Sequence, residues 1–120
     1  MKASKPAKVS ESQIQRSILD YLAARHILAF RMQSGATMSS YGGKTRMIRY
    51  GTPGMADILA FVQPSECDYP HGHQRVYWIE CKTEKGKQSE LQKSFQAQVD
   101  HEGHRYGVCR SIEDVEDLLK

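Results

Sequence analysis

Apolar residues recur at helical spacing near the start of the chain: Ile14, Ile18 and Leu22, with Tyr21 on the flank. Ser10 and Gln13 stand just before them as a capping box, with Ser10 as N-cap. This pattern predicts an amphipathic helix over 11–26. Residues 1–9 hold three lysines and read as a flexible basic tail. The short apolar run 27–32 predicts a first strand. Ile58 to Val62 are apolar without a break, which predicts a buried strand over 56–62 after the turn Gly51-Thr52-Pro53-Gly54. The stretch 76–82 is rich in aromatic and β-branched residues and predicts the next strand. Ser89 then caps a second helix with Leu91, Phe95 and Val99 along one stripe, and Gly103 ends it. A last strand is predicted over 106–110. Ser111 with Asp114 caps a final helix bearing Ile112, Val115, Leu118 and Leu119.

Three stretches break this rhythm. Residues 64–74 read as a polar loop and 84–88 as a polar, Lys-rich turn. Residues 33–54 carry Gly35, Gly42, Gly43, Gly51 and Gly54 with Ser and Thr between them. They read as a long connection with one brief strand at 47–50, and a connection of that length inside a compact domain is usually functional. The predicted order is α-β-β-β-α-β-α in a single domain over 10–120. A helix between the third and fourth strands permits parallel pairing there, and the two strands before it are expected to be antiparallel. The fold class is α/β: a mixed β-sheet with helices on both faces.

The 120 residues suit one hydrophobic core. A 39% apolar and 26% charged composition is that of an ordinary globular chain. No run approaches the ~18 apolar residues of a membrane span. The polar N-terminus lacks a secretion signal, so a cytoplasmic setting is expected. Cys67, Cys81 and Cys109 are an odd number without a CxxC pair, which fits packing thiols in a reducing compartment.

Net charge is only +3, but it is divided unevenly. Residues 1–54 carry nine Lys/Arg against two Asp/Glu, a net +7; residues 55–120 carry eight against twelve, a net −4. No acidic residue lies between Asp20 and Asp57, whereas Arg25, Arg31, Lys44, Arg46 and Arg49 do. A basic half beside an acidic half suits a nucleic-acid binder with a carboxylate metal site, or is simply an uneven solvated surface.

Asp57 falls at the start of one apolar strand, and Glu80 and Lys82 at the end of another. Strand alternation points Glu80 and Lys82 the same way. Charged groups at the end of an apolar strand are costly without partners. If the two strands are neighbours, Asp57 and Glu80 converge. Two converging carboxylates repel, and a divalent cation relieves the conflict. Mg²⁺ suits such a pair because it uses one or two carboxylates, keeps waters and accepts phosphate oxygens. It would stabilise charge on a phosphate and acidify a bound water, with Lys82 beside it. The plainer alternative is a structural ion pair of Lys82 with Asp57 or Glu80.

Gly54-Met55-Ala56-Asp57, then Glu80-Cys81-Lys82, then Ser89-Glu90-Leu91-Gln92, preceded by Glu11 and followed by Val108-Cys109-Arg110, resemble the ordered motifs of the PD-(D/E)xK nuclease superfamily. More closely they resemble its VRR-NUC family, the virus-type replication–repair nuclease domain. The likeness runs over about residues 10–115. Ala56 stands where the family has proline, and Cys109 where it has arginine. The resemblance implies a restriction-endonuclease-like fold. It further implies that Asp57, Glu80 and the backbone carbonyl of Cys81 bind Mg²⁺ or Mn²⁺, that Lys82 assists the attacking water, that Glu11 reaches the site from the first helix, and that Gln92 supports it from the second. Glu11 is also the residue type a helix N-terminus favours on its own account.

The implied activity is structure-selective DNA cleavage, four-way junctions included, by a homodimer in a phage or bacterial setting, with larger relatives in DNA repair. The final helix and the 106–110 strand are candidate contact surfaces for that dimer. Arg31, Lys44, Arg46, Arg49 and Tyr50 are the candidate nucleic-acid contacts; Tyr41 is a further stacking candidate. Two other readings stay open: a DNA-binding module with a nuclease fold but no turnover, and a nuclease directed at RNA. Cys67, His71 and His73 share a loop, but C-x3-H-x-H lacks a standard fourth zinc ligand nearby. Gly42-Gly43-Lys44 lacks the spacing of a phosphate-binding P-loop.

Overall fold

The computed structural model describes residues 8–63 and 75–120. Residues 1–7 of the basic tail and the Cys67, His71, His73 loop lie outside the described residues. The elements run α1 (Glu11–Ala24), β1 (Leu28–Arg31), β2 (Gly35–Tyr41), β3 (Lys44–Tyr50), β4 (Ile58–Val62), β5 (Arg75–Cys81), α2 (Glu90–His101), β6 (Arg105–Cys109) and α3 (Ile112–Leu119). No helix among the described residues is long and apolar enough to cross a membrane.

Four strands form one mixed sheet in the order β1-β4-β5-β6. β1 and β4 pair antiparallel, as do β4 and β5; β5 and β6 pair parallel across the α2 connection. Ile14, Ile18 and Leu22 of α1 pack with Ile58, Ala60, Tyr77, Ile79, Cys81, Cys109 and Val115 as the core. Each fully buried Ile or Leu contributes about 1.5–3 kcal/mol through area removed from water. Alternation along β5 sends Trp78 and Glu80 to the opposite side from Tyr77, Ile79 and Cys81. There Phe95 of α2 meets Trp78 edge to face at 5.0 Å and Tyr106 at 6.3 Å. The Gln88 amide donates to Gln96 and to the Tyr106 hydroxyl, which fixes the approach to α2 on that side.

The stretch 33–54 corrects the expectation drawn from sequence. It is not a loop with one brief strand but a hairpin, so the element order is α-β-β-β-β-β-α-β-α. β2 and β3 pair in full register from Gly35 opposite Tyr50 to Tyr41 opposite Lys44. Gly42 and Gly43, with φ of +61° and +78°, make the two-residue turn whose twist matches paired strands. Gly-Gly between two short runs is a hairpin signal. It was masked because these strands, exposed at every position but Ser39, show no apolar alternation.

The helix ends also differ. α1 stops at Ala24 rather than at residue 26 because His26 takes φ +59°, and Ile27 N–H and His26 N–H close a Schellman pair onto Leu22 and Ala23. Gly103 does the same work for α2, with His104 N–H reaching Val99. A histidine in that role leaves no glycine to mark the stop.

This topology brings the end of β1, the start of β4 and the ends of β5 and β6 together at one end of the sheet's strands. All three helices begin at that same end.

Candidate metal centre

Asp57 immediately precedes β4, and Glu80 is the penultimate residue of β5. Antiparallel pairing of Ile58 with Ile79 sets them side by side. The turn leading to Asp57 is held by a close approach: Gly54 has φ +81°, and a Cβ there would lie 2.3 Å from the Leu91 carbonyl oxygen in the first turn of α2. Only glycine fits both constraints. Asp57 Oδ2 then accepts from the Cys81 N–H at 2.8 Å, which locks the carboxylate against the end of β5. Its own carbonyl accepts from Met32 N–H at 2.7 Å, tying in the end of β1.

Glu11 comes in from the first position of α1. Oxygens of Glu11, Asp57 and Glu80 all lie within 4.8 Å of one another. Lys82 Nζ sits 3.7 Å from Glu80 Oε1 and 3.9 Å from Glu11 Oε1. From the other side Gln92 Nε2 donates to Glu80 Oε1 at 3.0 Å, while Gln92 Oε1 accepts from Ser89 N–H. The structure therefore gathers Glu11, Asp57, Glu80, Lys82 and Gln92 at one point.

Burial grades across this group. Glu80 is 1% exposed and Lys82 is buried, whereas the Glu11 side chain is half open to solvent. Burial, then the neighbouring Asp57 carboxylate, push the Glu80 carboxyl up to about 8, against the opposing pull of Lys82. Glu80 Oε2 is buried with no donor on it, and the Asp57 carboxylate beside Glu80 can bond it only through a shared proton. An orphaned carboxylate oxygen of this kind is expensive and calls for a ligand or a proton. The donor set is all oxygen, with no His or Cys in it, and so fits a hard cation such as Mg²⁺ or Mn²⁺ rather than a thiophilic one. The Cys81 thiol points into the core, where burial pushes it up, and its register partner Cys109 is pushed up to about 12. Neither thiol belongs to the cluster.

No family model, curated protein or solved structure matches the chain.

The other candidate residues separate into two places. Arg31, at the end of β1, shares a cleft of about 390 Å³ with Gln15, Tyr50, Asp57 and Gln92. The remaining cations lie on β3. Lys44, Arg46 and Tyr50 share one face by alternation, and Arg49 lies on the other. Tyr50 is the link, since it lines the cleft and also the groove at the hairpin base beside Arg49 and Pro53.

Two residues escaped the sequence reading. Gln15, one helical turn after Glu11, is 8% exposed and lines the cleft. It was hidden beside the Ile14-Ile18-Leu22 stripe, which accounts for that helix face without it. Arg110 donates to the carbonyl oxygens of Thr83, Glu84 and Gly86. It thereby pins the turn directly after Lys82, and a Cβ on Gly86 would touch the Lys82 stem. Nothing in a strand-end arginine announces three backbone acceptors on another loop.

Proposed function

We propose that this protein is a metal-dependent nuclease that hydrolyses phosphodiester bonds in DNA, with a restriction-endonuclease-like fold of the VRR-NUC type. The observation that carries the reading is the buried, unpartnered Glu80 Oε2 inside a three-carboxylate cluster, with an ammonium on one side and an open polar cleft on the other. Asp57 and Glu80 would hold Mg²⁺ or Mn²⁺, with Glu11 and the Cys81 main-chain carbonyl completing the protein ligands. The ion would supply charge neutralisation on the scissile phosphate and a more acidic bound water.

The chain's own residues do the rest. Gln92 occupies Glu80 Oε1 and so commits Oε2 to the ligand side. Lys82, held between Glu80 and Glu11, presents its ammonium where an attacking water or a phosphate oxygen needs a donor. Arg31 holds a neighbouring phosphate across the cleft from Asp57. Lys44, Arg46, Arg49 and Tyr50 extend the contact along the backbone. A homodimer on branched DNA, meeting through α3 and β6, would place two such sites on symmetric strands.

The test is incubation of linear and branched DNA with the protein and Mg²⁺ or Mn²⁺. Wild-type protein is expected to cut, and Asp57→Ala and Lys82→Ala to lose about 10³-fold in rate, roughly 4 kcal/mol of barrier. Cutting that persists unchanged in both variants overturns the reading, and binding without cutting under every divalent ion favours a DNA-binding module instead.

A further inference from the structure

We infer that the β2–β3 hairpin is an arm that enters the major groove of the duplex flanking the scissile bond. The inference rests on the nuclease reading and names how that site holds its substrate. Among the described residues no other element packs extensively against the arm. Tyr41 at its tip is 91% exposed, and Met38, Met47, Ile48 and Tyr50 are exposed as well. An isolated two-stranded hairpin is marginal in water, so apolar groups on both of its faces point to a surface met outside the chain.

Charge selects the partner. The arm bears Lys44, Arg46 and Arg49 and no acidic residue, and none occurs anywhere between Asp20 and Asp57. Such an arm repels a copy of itself and attracts a polyanion. Position agrees with charge. Tyr50, at the arm's base, lines the cleft that holds Asp57, and alternation puts Lys44 and Arg46 on the Tyr50 face. A polyanion leaving the cleft past Tyr50 therefore runs onto the cationic face. A cation on the opposite face, Arg49, suits a ribbon with a phosphate wall on each side. A two-stranded ribbon fits the B-DNA major groove, about 12 Å wide.

The geometry gives a length. Six strand steps of ~3.3 Å separate Tyr50 from Lys44, so the arm reaches about 20 Å from the cleft. That distance covers about six base pairs at ~3.4 Å each.

The experiment measures duplex affinity by fluorescence anisotropy in EDTA, with duplex flanks of 2 to 12 base pairs beside a fixed branch point. Wild-type affinity should rise with flank length and level off near six pairs. The variant K44A/R46A/R49A should bind at least tenfold more weakly, show little flank dependence, and have a log-log salt slope smaller by about 2.7, the ~0.9 expected for each lost phosphate contact. Methyl green, a major-groove ligand, should compete and distamycin, a minor-groove ligand, should not. A wild-type affinity indifferent to flank length overturns the arm without recourse to any variant. So does a triple variant that binds like wild type, or one that turns a dimer into a monomer at unchanged duplex affinity. Because no turnover is read, flank dependence in a protein that fails to cut under every divalent ion upholds the arm and overturns the nuclease; cutting without flank dependence does the reverse.

Discussion

α1 and α2 start with nearly the same four residues, Ser10-Glu11-Ser12-Gln13 and Ser89-Glu90-Leu91-Gln92, and both form complete capping boxes. Yet they send different side chains to Glu80's surroundings. From α1 it is the glutamate at the first position that joins the cluster, while Gln13 only caps the helix. From α2 it is the glutamine at the third position, whose amide nitrogen bonds Glu80 while its oxygen caps the helix. Glu90, the counterpart of Glu11, is exposed and, among the described residues, pairs only with Lys93. A cap motif therefore fixes how a helix begins but not which of its residues is functional. That depends on how the helix is rolled against the end of the sheet, and at α2 the close contact of Gly54 with Leu91 sets the roll.

Matched substitutions in the two boxes break or sharpen this contrast. The largest difference is expected between the two glutamates. Glu11→Gln should lower the cleavage rate about 100-fold, roughly 2.7 kcal/mol, whereas Glu90→Gln should leave it unchanged; equal rates in the two variants would remove Glu11 from the site.

Next comes the carboxylate on which both helix starts converge. In the folded protein Glu80 keeps its proton up to about 8, against an ordinary 4.5. Between those values the folded state holds a proton that the unfolded state has lost. Stability without metal should therefore fall as pH rises through that window, by at most ~1.4 kcal/mol per pH unit from this group. Urea unfolding in EDTA across pH 5 to 8 reads the slope, Glu80→Gln should flatten it, and Mn²⁺ should restore stability most at the alkaline end. A slope that Glu80→Gln leaves intact would place its origin elsewhere.

The smallest difference lies between the glutamines. Gln13→Ala should cost about 1 kcal/mol of stability through the lost cap bond, and Gln92→Ala more, because it also strips the donor from buried Glu80 Oε1; only Gln92→Ala should also weaken Mn²⁺ binding, by about tenfold. Equal Mn²⁺ affinities would reduce Gln92 to a cap.

The amphipathic stripe of α1, the apolar run of β4 and the two serine caps could all be read from sequence, because each is a local pattern with a local cause. The neighbouring placement of Asp57 and Glu80 followed once β4 and β5 were taken as partners. The hairpin was legible only in its Gly42-Gly43 turn. Its strands bury almost nothing, and burial is what writes alternation into a sequence. The orphaned Glu80 oxygen, Gln15 in the cleft and the three carbonyls on Arg110 depend on chain segments far apart in sequence, and no spacing rule reports them.

The central claim is that Glu11, Asp57 and Glu80 share one divalent cation. Anomalous diffraction from crystals grown with Mn²⁺ tests it most directly. The account predicts a peak about 2.1 Å from Asp57 and Glu80 oxygens, with Glu80 Oε2 among the ligands and Gln92 still on Oε1. A cluster with no peak at saturating Mn²⁺, closed instead by Lys82 or by a proton shared between Asp57 and Glu80, would contradict it.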